Sequence, residues 1–332
     1  MRAFVQDKYG SAEVLQPRDV AKPAIGETDV LIRVHAAGVN PADWAIMSGL
    51  PYIARPAYGA RKPKDPIRGT DVSGTIEAVG SGVTRFKQGD EVFGWCKGSF
   101  AEYASAAEEA LALKPANITF EQAASVPMAG LVALQALRKG NVGAGDKVLV
   151  NGASGGIGTF AVQIAKSLGA HVTGVCSTRN VALVGSLGAD AVIDYTKSDF
   201  TRMGQRYNFI LDNVSNRSLS DLRRALSATG TLVPNGGRFD KRWMASGGRI
   251  IQGKLLFRFS SQKFGNFLLS PNQADLVALK QLIEAGELRP VIDRAYPMSE
   301  TSQAIGHVGE GHARGKTAIT MPALAADAVA AA

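Results

Sequence analysis

Val148-Leu149-Val150-Asn151-Gly152-Ala153-Ser154-Gly155-Gly156-Ile157-Gly158 is the stretch on which the fold turns. Three apolar residues run into a glycine-rich turn. Beyond it, Ile157, Phe160, Ala161, Ile164 and Leu168 recur at helical spacing. Strand, glycine loop and helix fall in order, and that context separates a dinucleotide fingerprint from a stray run of glycines. Glycines such as Gly155 and Gly158 let backbone approach a pyrophosphate, and a helix N-terminus presents free amides and a positive dipole end.

The pattern continues outward. Val172–Val175, Ala191–Ile193, Phe209–Leu211 and Thr231–Val233 are short apolar strands with helical segments between them. Such alternation predicts a parallel sheet with helices on both faces, a doubly wound Rossmann-type domain over 121–270. It opens with Thr119-Phe120-Glu121-Gln122, which reads as a capping box. Before it, residues 1–120 read as short strands and Gly/Pro turns, an antiparallel, barrel-like pattern. Pro51 to Pro66 reads as a long irregular loop. An amphipathic helix from Asn272 to Gly286 follows the nucleotide domain, and strands resume to about Met321. The expectation is an α/β chain: a β-rich domain from 1–120 and 271–322, the Rossmann domain within it, and an Ala-rich tail, 323–332, that frays.

Composition narrows the classes. The chain has 332 residues, 45% hydrophobic and 20% charged, which excludes a disordered chain. Two cysteines, Cys96 and Cys176, exclude a disulfide framework and a four-cysteine zinc lobe. The net charge of +8 favours anionic ligands. No leader pattern opens the sequence and no apolar run could span a bilayer, so the expected location is cytoplasmic, with no integral membrane segment.

An acidic residue about 20 residues beyond the glycine loop marks a site for NAD. Here the second strand ends in Cys176-Ser177-Thr178-Arg179-Asn180, with neither Asp nor Glu. Hydroxyls and a guanidinium suit a 2′-phosphate, so NADP(H) is favoured, with Ser177, Thr178 and Arg179 around it. Ser177 and Thr178 could equally cap the next helix.

Together with Gly38-Val39-Asn40-Pro41-Ala42-Asp43, Gly69-Thr70-Asp71-Val72-Ser73-Gly74, Gly89-Asp90-Glu91-Val92-Phe93-Gly94 and Gly311-His312-Ala313-Arg314-Gly315-Lys316, these motifs resemble the medium-chain dehydrogenase/reductase superfamily. The branch they resemble is the zinc-free quinone oxidoreductases, over residues 1 to about 321. The resemblance implies a GroES-like β-rich domain beside the Rossmann domain, NADPH as cofactor, and a homodimer. The last strands of the nucleotide domain, read around Ile250 to Phe259, would offer an edge for pairing between subunits. The resemblance also implies pyrophosphate contacts at Ser154, Gly156 and Ile157, and Tyr195 beside the 2′-phosphate. Asn213, Val214, Asn235 and Gly236 follow the fourth and fifth strands. Phe257, Arg258 and Phe259 would line the nicotinamide side, with Met128 near the ring and Lys316 closing the site. Phe257 and Phe259 also alternate like a strand and could instead be core or dimer contacts. Zinc-dependent relatives carry a Cys in the segment matching Gly38–Pro41 and Gly-His-Glu where this chain has Gly69-Thr70-Asp71, so metal catalysis is not expected.

Without zinc, hydride transfer needs an electron-poor acceptor. An enone or quinone spreads the added charge onto an oxygen that one or two hydrogen-bond donors can hold. Asn40 is a candidate donor. Tyr52 is another, although Pro51 displaces it by one position from the pattern of related enoyl reductases, and a pocket wall is its other reading. Quinone, enone and enoyl thioester all stay open. Two rival readings compete. A short-chain dehydrogenase would reverse the order of loop and Tyr/Lys pair, here Tyr58 and Lys62. A nucleotide-binding sensor could use the basic, aromatic run Arg238–Lys263 with Trp243 and Phe267 on nucleic acid or an anionic membrane, although no nucleic-acid partner is expected.

Overall fold

One long strand, Asp29–Val39, organises the first unit. Its side chains alternate between half-buried and buried, with Val30, Ile32 and Val34 inside, the period of a strand with one covered face. It pairs antiparallel with Asp71–Val79, Tyr103–Ala107 and Lys316–Thr320. The seven-stranded sheet runs Ile292–Pro297, Lys316–Thr320, Asp29–Val39, Asp71–Val79, Glu91–Trp95, Leu111–Leu113, with Tyr103–Ala107 on the central strand. Its register sets Gly38 opposite both Asp71 and Ala318. The residue after the central strand, Asn40, and the first residues of two neighbours, Asp71 and Lys316, therefore share one end of the sheet.

This is a computed structural model, and it describes residues 1–236, 247–265 and 269–322. The expected fraying tail and, within the basic run, Arg238, Lys241, Arg242, Trp243 and Phe267 lie outside the described residues.

The second unit holds six parallel strands in the order Ala191–Asp194, His171–Cys176, Lys147–Asn151, Tyr207–Asp212, Leu226–Pro234, Lys263–Phe264. Numbered within the unit this is 3-2-1-4-5-6, the doubly wound order that carries dinucleotides at its reversal point. Helix Gly156–Ser167 buries Phe160, Ala161 and Ile164, each large side chain contributing about 1.5–3 kcal/mol.

Compactness divides the chain at Met128. The first unit comprises Met1–Met128, Pro271–Ala285 and the chain from Pro290; the second comprises Ala129–Ser270 with Gly286–Arg289. Helix Phe120–Ala124, which the sequence assigns to the nucleotide domain, belongs to the first unit. Phe120 stacks on His35 at 4.3 Å, and its carbonyl accepts from Ser73 Oγ. The capping box at Thr119 is present, with Gln122 N donating to its Oγ1 at 3.3 Å.

Two segments differ from expectation. Gly247–Phe257 is a helix, not strands offering a pairing edge. The alternation Phe257-Arg258-Phe259 that resembled a strand is the turn closing this helix, where Ser260 N donates to Phe257 O. Within 51–66, Tyr52–Ala54 forms a 3₁₀ turn and Arg55–Tyr58 a single helical turn, so the loop has local order.

Gly38 allows the sheet end to close. A Cβ there would lie 2.3 Å from Ala124 O and 3.0 Å from the Asp71 Cβ. Gly38→Ala should cost roughly 1–3 kcal/mol, the usual penalty of overpacking. Calorimetry should show this as a melting temperature lowered by several degrees; unchanged melting would show that the strand can shift aside.

Candidate functional site

The glycine loop is built for close approach. Gly152 has φ +83°, left-handed backbone that an L side chain rarely adopts. A Cβ on Gly158 would lie 2.1 Å from Gly152 O, so the first helical turn is pressed onto the loop. Gly155, by contrast, has only Gly152 O within 4 Å, at 3.5 Å. It caps helix Gly156–Ser167 without any side-chain bond. An open glycine face over uncapped amides fits a dinucleotide pyrophosphate, with Gly156 and Ile157 in the first turn and Ser154 half-buried beside it.

Asn180, for which the sequence alone suggests no role, joins this loop to the end of the second strand. Its Nδ2 donates to Ser154 Oγ at 2.9 Å and to Ser177 Oγ at 3.4 Å, while its buried Oδ1 has no partner. Arg179 is exposed and Tyr195 is 47% exposed, leaving the ring reachable. The surroundings are not free of acid, however. Asp194, from the third strand, accepts from Thr178 Oγ1 at 2.6 Å and from Thr196 Oγ1 at 2.7 Å. The Thr178 hydroxyl holds the Asp194 carboxyl below its ordinary value. The second strand's own sequence holds no acid; parallel pairing of Asp194 with Cys176 supplies the carboxylate from its neighbour.

The reversal point is stitched by Asp212. This fully buried carboxylate accepts from Asn151 Nδ2 at 2.8 Å and from Arg249 Nη2 at 2.9 Å. Its carbonyl accepts from Asn235 N and Gly236 N at 2.9 and 2.8 Å. The structure thereby gathers Asn213, Val214, Asn235 and Gly236: Asn235 Nδ2 donates to Asn213 Oδ1 at 2.9 Å, and a Cβ on Gly236 would lie 2.5 Å from Asn213. Asn213 Nδ2 is buried without a partner, and Val214 is 42% exposed. No sequence signal pairs Asp212 with Arg249, because they are 37 residues apart and meet only through the fold.

Phe257, Arg258 and Phe259 do not share one surface. Phe257 is buried in the core of the nucleotide unit, 5.6 Å from the Phe264 ring. Phe259 is 93% exposed, with the Arg258 guanidinium 5.4 Å above its ring. A helix end sends consecutive side chains in different directions, whereas a strand would have put Phe257 and Phe259 on one face.

In the first unit, Asn40, Asp43, Asp71 and Lys316 form a buried cluster. Lys316 Nζ donates to Asn40 Oδ1 and to Val39 O at 3.1 Å, and lies 3.6 Å from Asp71 Oδ2. Lys316 is therefore an internal tether of this unit, with two carbonyl oxygens accepting from it and a carboxylate pairing with it. Asp71 also accepts from Met128 N at 3.3 Å. Asp43 accepts from Asn40 N at 2.8 Å. Asn40 Nδ2 lies near enough to Asp71 to help lower its carboxyl, yet makes no hydrogen bond. Burial raises Asp71 against these effects and lowers Lys316. Tyr52 is half-buried in its 3₁₀ turn, with the Arg55 guanidinium 4.5 Å from its ring. Among the described residues, no three His, Cys, Asp or Glu side chains group to hold a metal ion.

Burial pushes the Asp43 carboxyl up to about 7 from 3.8. Folding therefore takes up a proton between those values. The stability this adds is complete below about pH 4 and lost as pH rises through about 7. Asp43→Asn keeps an acceptor but removes the titration. Its melting temperature relative to the parent should rise between about pH 4 and about pH 8, whereas a constant difference would place the proton elsewhere.

The chain matches the family model described as an alcohol dehydrogenase GroES-like domain over residues 26–116, and one described as a zinc-binding dehydrogenase over 187–319. It is 37% identical to the mitochondrial NAD(P)H oxidoreductase RTN4IP1 of Mus musculus, over 97% of this chain and 89% of that protein. It is 31% identical to the chloroplastic NADPH-dependent alkenal/one oxidoreductase of Arabidopsis thaliana, over 96% and 79%. The quinone oxidoreductase structure from Coxiella burnetii superposes with a TM-score of 0.85 at 30% identity, covering 97% of this chain and 99% of that one. Two units with these sheet orders, a glycine loop open to a pyrophosphate and relatives matched almost end to end lead to one placement. The chain belongs to the medium-chain dehydrogenase/reductase superfamily, in its quinone oxidoreductase-like branch, and is an oxidoreductase.

Proposed function

We propose that this protein is an NADPH-dependent, zinc-independent reductase of quinones or of carbon-carbon double bonds conjugated to a carbonyl. The observation that carries the reading is the open Gly155 face over the uncapped start of helix Gly156–Ser167, in a 3-2-1-4-5-6 sheet of a chain from this family. When bound, the dinucleotide supplies a hydride. The chain's own residues bind and orient it. Ser154, Gly155, Gly156, Ile157 and the close-packed Gly158 hold the pyrophosphate end, and Asn213, Val214, Asn235 and Gly236 border the reversal point. Ser177, Arg179 and Tyr195 receive the 2′-phosphate. Asp194 opposes that phosphate, so the preference for NADPH rests on the Arg179 guanidinium outweighing a nearby carboxylate.

The names of relatives, one a quinone reductase and one an alkenal/one reductase, support an electron-poor acceptor. Donor chemistry supports zinc independence. Where zinc-dependent relatives carry a Cys and a Gly-His-Glu, this chain has Gly38-Val39-Asn40-Pro41 and Gly69-Thr70-Asp71, with no Cys or His, and the Lys316 ammonium already engages Asn40 and Asp71. Asn40 Nδ2 and the Tyr52 hydroxyl are the donors assigned to the acceptor's oxygen, since Asn40 Oδ1 is occupied. Homodimerisation rests on the resemblance alone, now that the expected pairing edge is a helix. The location is a proposal too: no helix among the described residues is long and apolar enough to cross a membrane, but the mouse and Arabidopsis relatives are named as mitochondrial and chloroplastic.

Cofactor choice is read by titrating NADPH and NADH against protein fluorescence. NADPH should bind more tightly, and Arg179→Ala should weaken it on the order of tenfold, about 1.4 kcal/mol, with little change for NADH. Equal affinities in the parent would overturn the preference.

The reaction is read by NADPH oxidation over enones, quinones, acyl thioesters and unconjugated ketones, with product analysis, before and after prolonged chelation. Turnover confined to conjugated acceptors and quinones and indifferent to the chelator is expected. Turnover of unconjugated ketones alone, or its loss on chelation, would overturn the reading. Bound NADPH with no turnover would favour a nucleotide sensor. Tyr52→Phe should lower kcat if the hydroxyl donates a proton, and should change chiefly KM if the ring is a wall.

A further inference from the structure

By sequence, Ser177 and Thr178 read alike, as hydroxyls that grip a 2′-phosphate or cap the next helix. The structure gives them opposite hydrogen-bond polarity. Thr178–Asn180 is a 3₁₀ turn beyond the second strand, and Ser177 opens it without a side-chain bond to its amides. Ser177 Oγ instead accepts from Asn180 Nδ2 at 3.4 Å, which leaves the Ser177 proton to be given to a ligand.

Thr178 is the reverse. Its Oγ1 donates to Asp194 Oδ2 at 2.6 Å, while Thr196 Oγ1 and N donate to Asp194 Oδ1 at 2.7 and 3.0 Å. A carboxylate can only accept, so both threonine protons point at Asp194. The two hydroxyls also approach to 3.1 Å, but neither has a second proton to give. The Thr178 bond above all holds the Asp194 carboxyl below its ordinary value, so it is charged at neutral pH. Lys197 Nζ, 3.8 Å away on a side chain 70% exposed, is a water-screened partner that offsets little of this charge.

The place of this pair gives it meaning. Asp194 lies beside Cys176, the last residue of the second strand, and Tyr195 N donates to Cys176 O at 3.0 Å. This is the strand end that meets the ribose 2′ position in doubly wound folds, where NAD sites carry an acid. With its proton spent, Thr178 Oγ1 offers only lone pairs there. An ionised 2′-phosphate also has only lone pairs, with charge of the same sign as Asp194. A 2′-hydroxyl has a proton to give. We propose that Asp194, acting through Thr178, is a specificity-determining residue: the pair accepts the ribose 2′-hydroxyl of NADH and limits the preference for NADPH that Ser177 and Arg179 create. This inference rests on the dinucleotide reading above.

Asp194→Asn reverses the polarity. Thr196 still requires an acceptor at the Oδ1 position, so the amide nitrogen takes the place of Oδ2, donates to Thr178 Oγ1 and frees that hydroxyl's proton for a phosphate. NADPH and NADH are titrated against protein fluorescence, with melting temperature measured on each variant. Asp194→Asn should raise the ratio of NADPH to NADH affinity at least about fivefold, the effect of one unit charge at about 4 Å in water. Thr178→Val keeps Asp194 and the side-chain shape but deletes the acceptor. It should weaken NADH about threefold or more and leave NADPH no tighter; should Asp194→Asn fail to fold, this variant decides. A ratio that Asp194→Asn leaves unchanged, or a Thr178→Val protein that binds NADH like the parent, would overturn the proposal alone. A parent that binds neither dinucleotide would overturn the cofactor reading and this inference with it. A parent with equal affinities would overturn only the preference for NADPH, and a raised ratio in Asp194→Asn would then uphold the role of Asp194.

Discussion

A buried ammonium must be paired, and the pairing of Lys316 organises the first unit. Nζ is held by Val39 O, Asn40 Oδ1 and the Asp71 carboxylate. Removing one partner of such a buried pair typically costs about 3–5 kcal/mol, because the remaining charge is left uncompensated. The three strands that contribute these groups cannot slip without incurring that cost. The ion pair and the antiparallel register of Gly38 with Asp71 and Ala318 therefore enforce each other. Asp43, at the N-terminus of helix Pro41–Ser48, completes the cluster by accepting from Asn40 N. The Asn40 side chain is thus held in one orientation, since an ammonium can only donate to its oxygen.

The second unit rests on different physics. Its strands are apolar on both faces and pair in parallel, and what distinguishes it is where backbone amides remain open. Asp212 and Asn180 are the two side chains that hold those amides in place. Asp212 draws together the loops after the first, fourth and fifth strands, and Asn180 ties the glycine loop to the turn after the second. Neither need touch a cofactor to matter: each positions residues that would. Helix Gly247–Phe257 adds to this arrangement, sending Arg249 inward to Asp212 and leaving Ile251 and Leu255 exposed.

Much was legible in the residues alone. The glycine loop, its strand and its helix are local features, separated by a few residues, and short-range geometry decides them. The capping box at Thr119 is of the same kind. The change from short strands to strand-helix alternation near 120 announced two architectures. The boundary itself was less legible, because helix Phe120–Ala124 is helical by its own sequence but packs on His35 and Ser73, 85 and 47 residues away. The conformation of Phe257-Arg258-Phe259 was illegible for a related reason: three residues cannot distinguish a strand from a helix end, and Gly253 seats the helix on Phe264.

By itself, then, the sequence determined the elements whose cause is local: the phosphate loop, the capping box and the doubly wound alternation. Only the tertiary structure decided which charges meet. It set Asp194 against Thr178 through parallel pairing of the second and third strands, Asp212 against Arg249, and Lys316 against Asp71 and against Asn40, the latter 276 residues away. The reason is physical. Backbone conformation and amphipathic spacing act over a few residues. A buried charge, by contrast, is satisfied by whatever partner the sheet register brings within reach, and no local pattern records that partner.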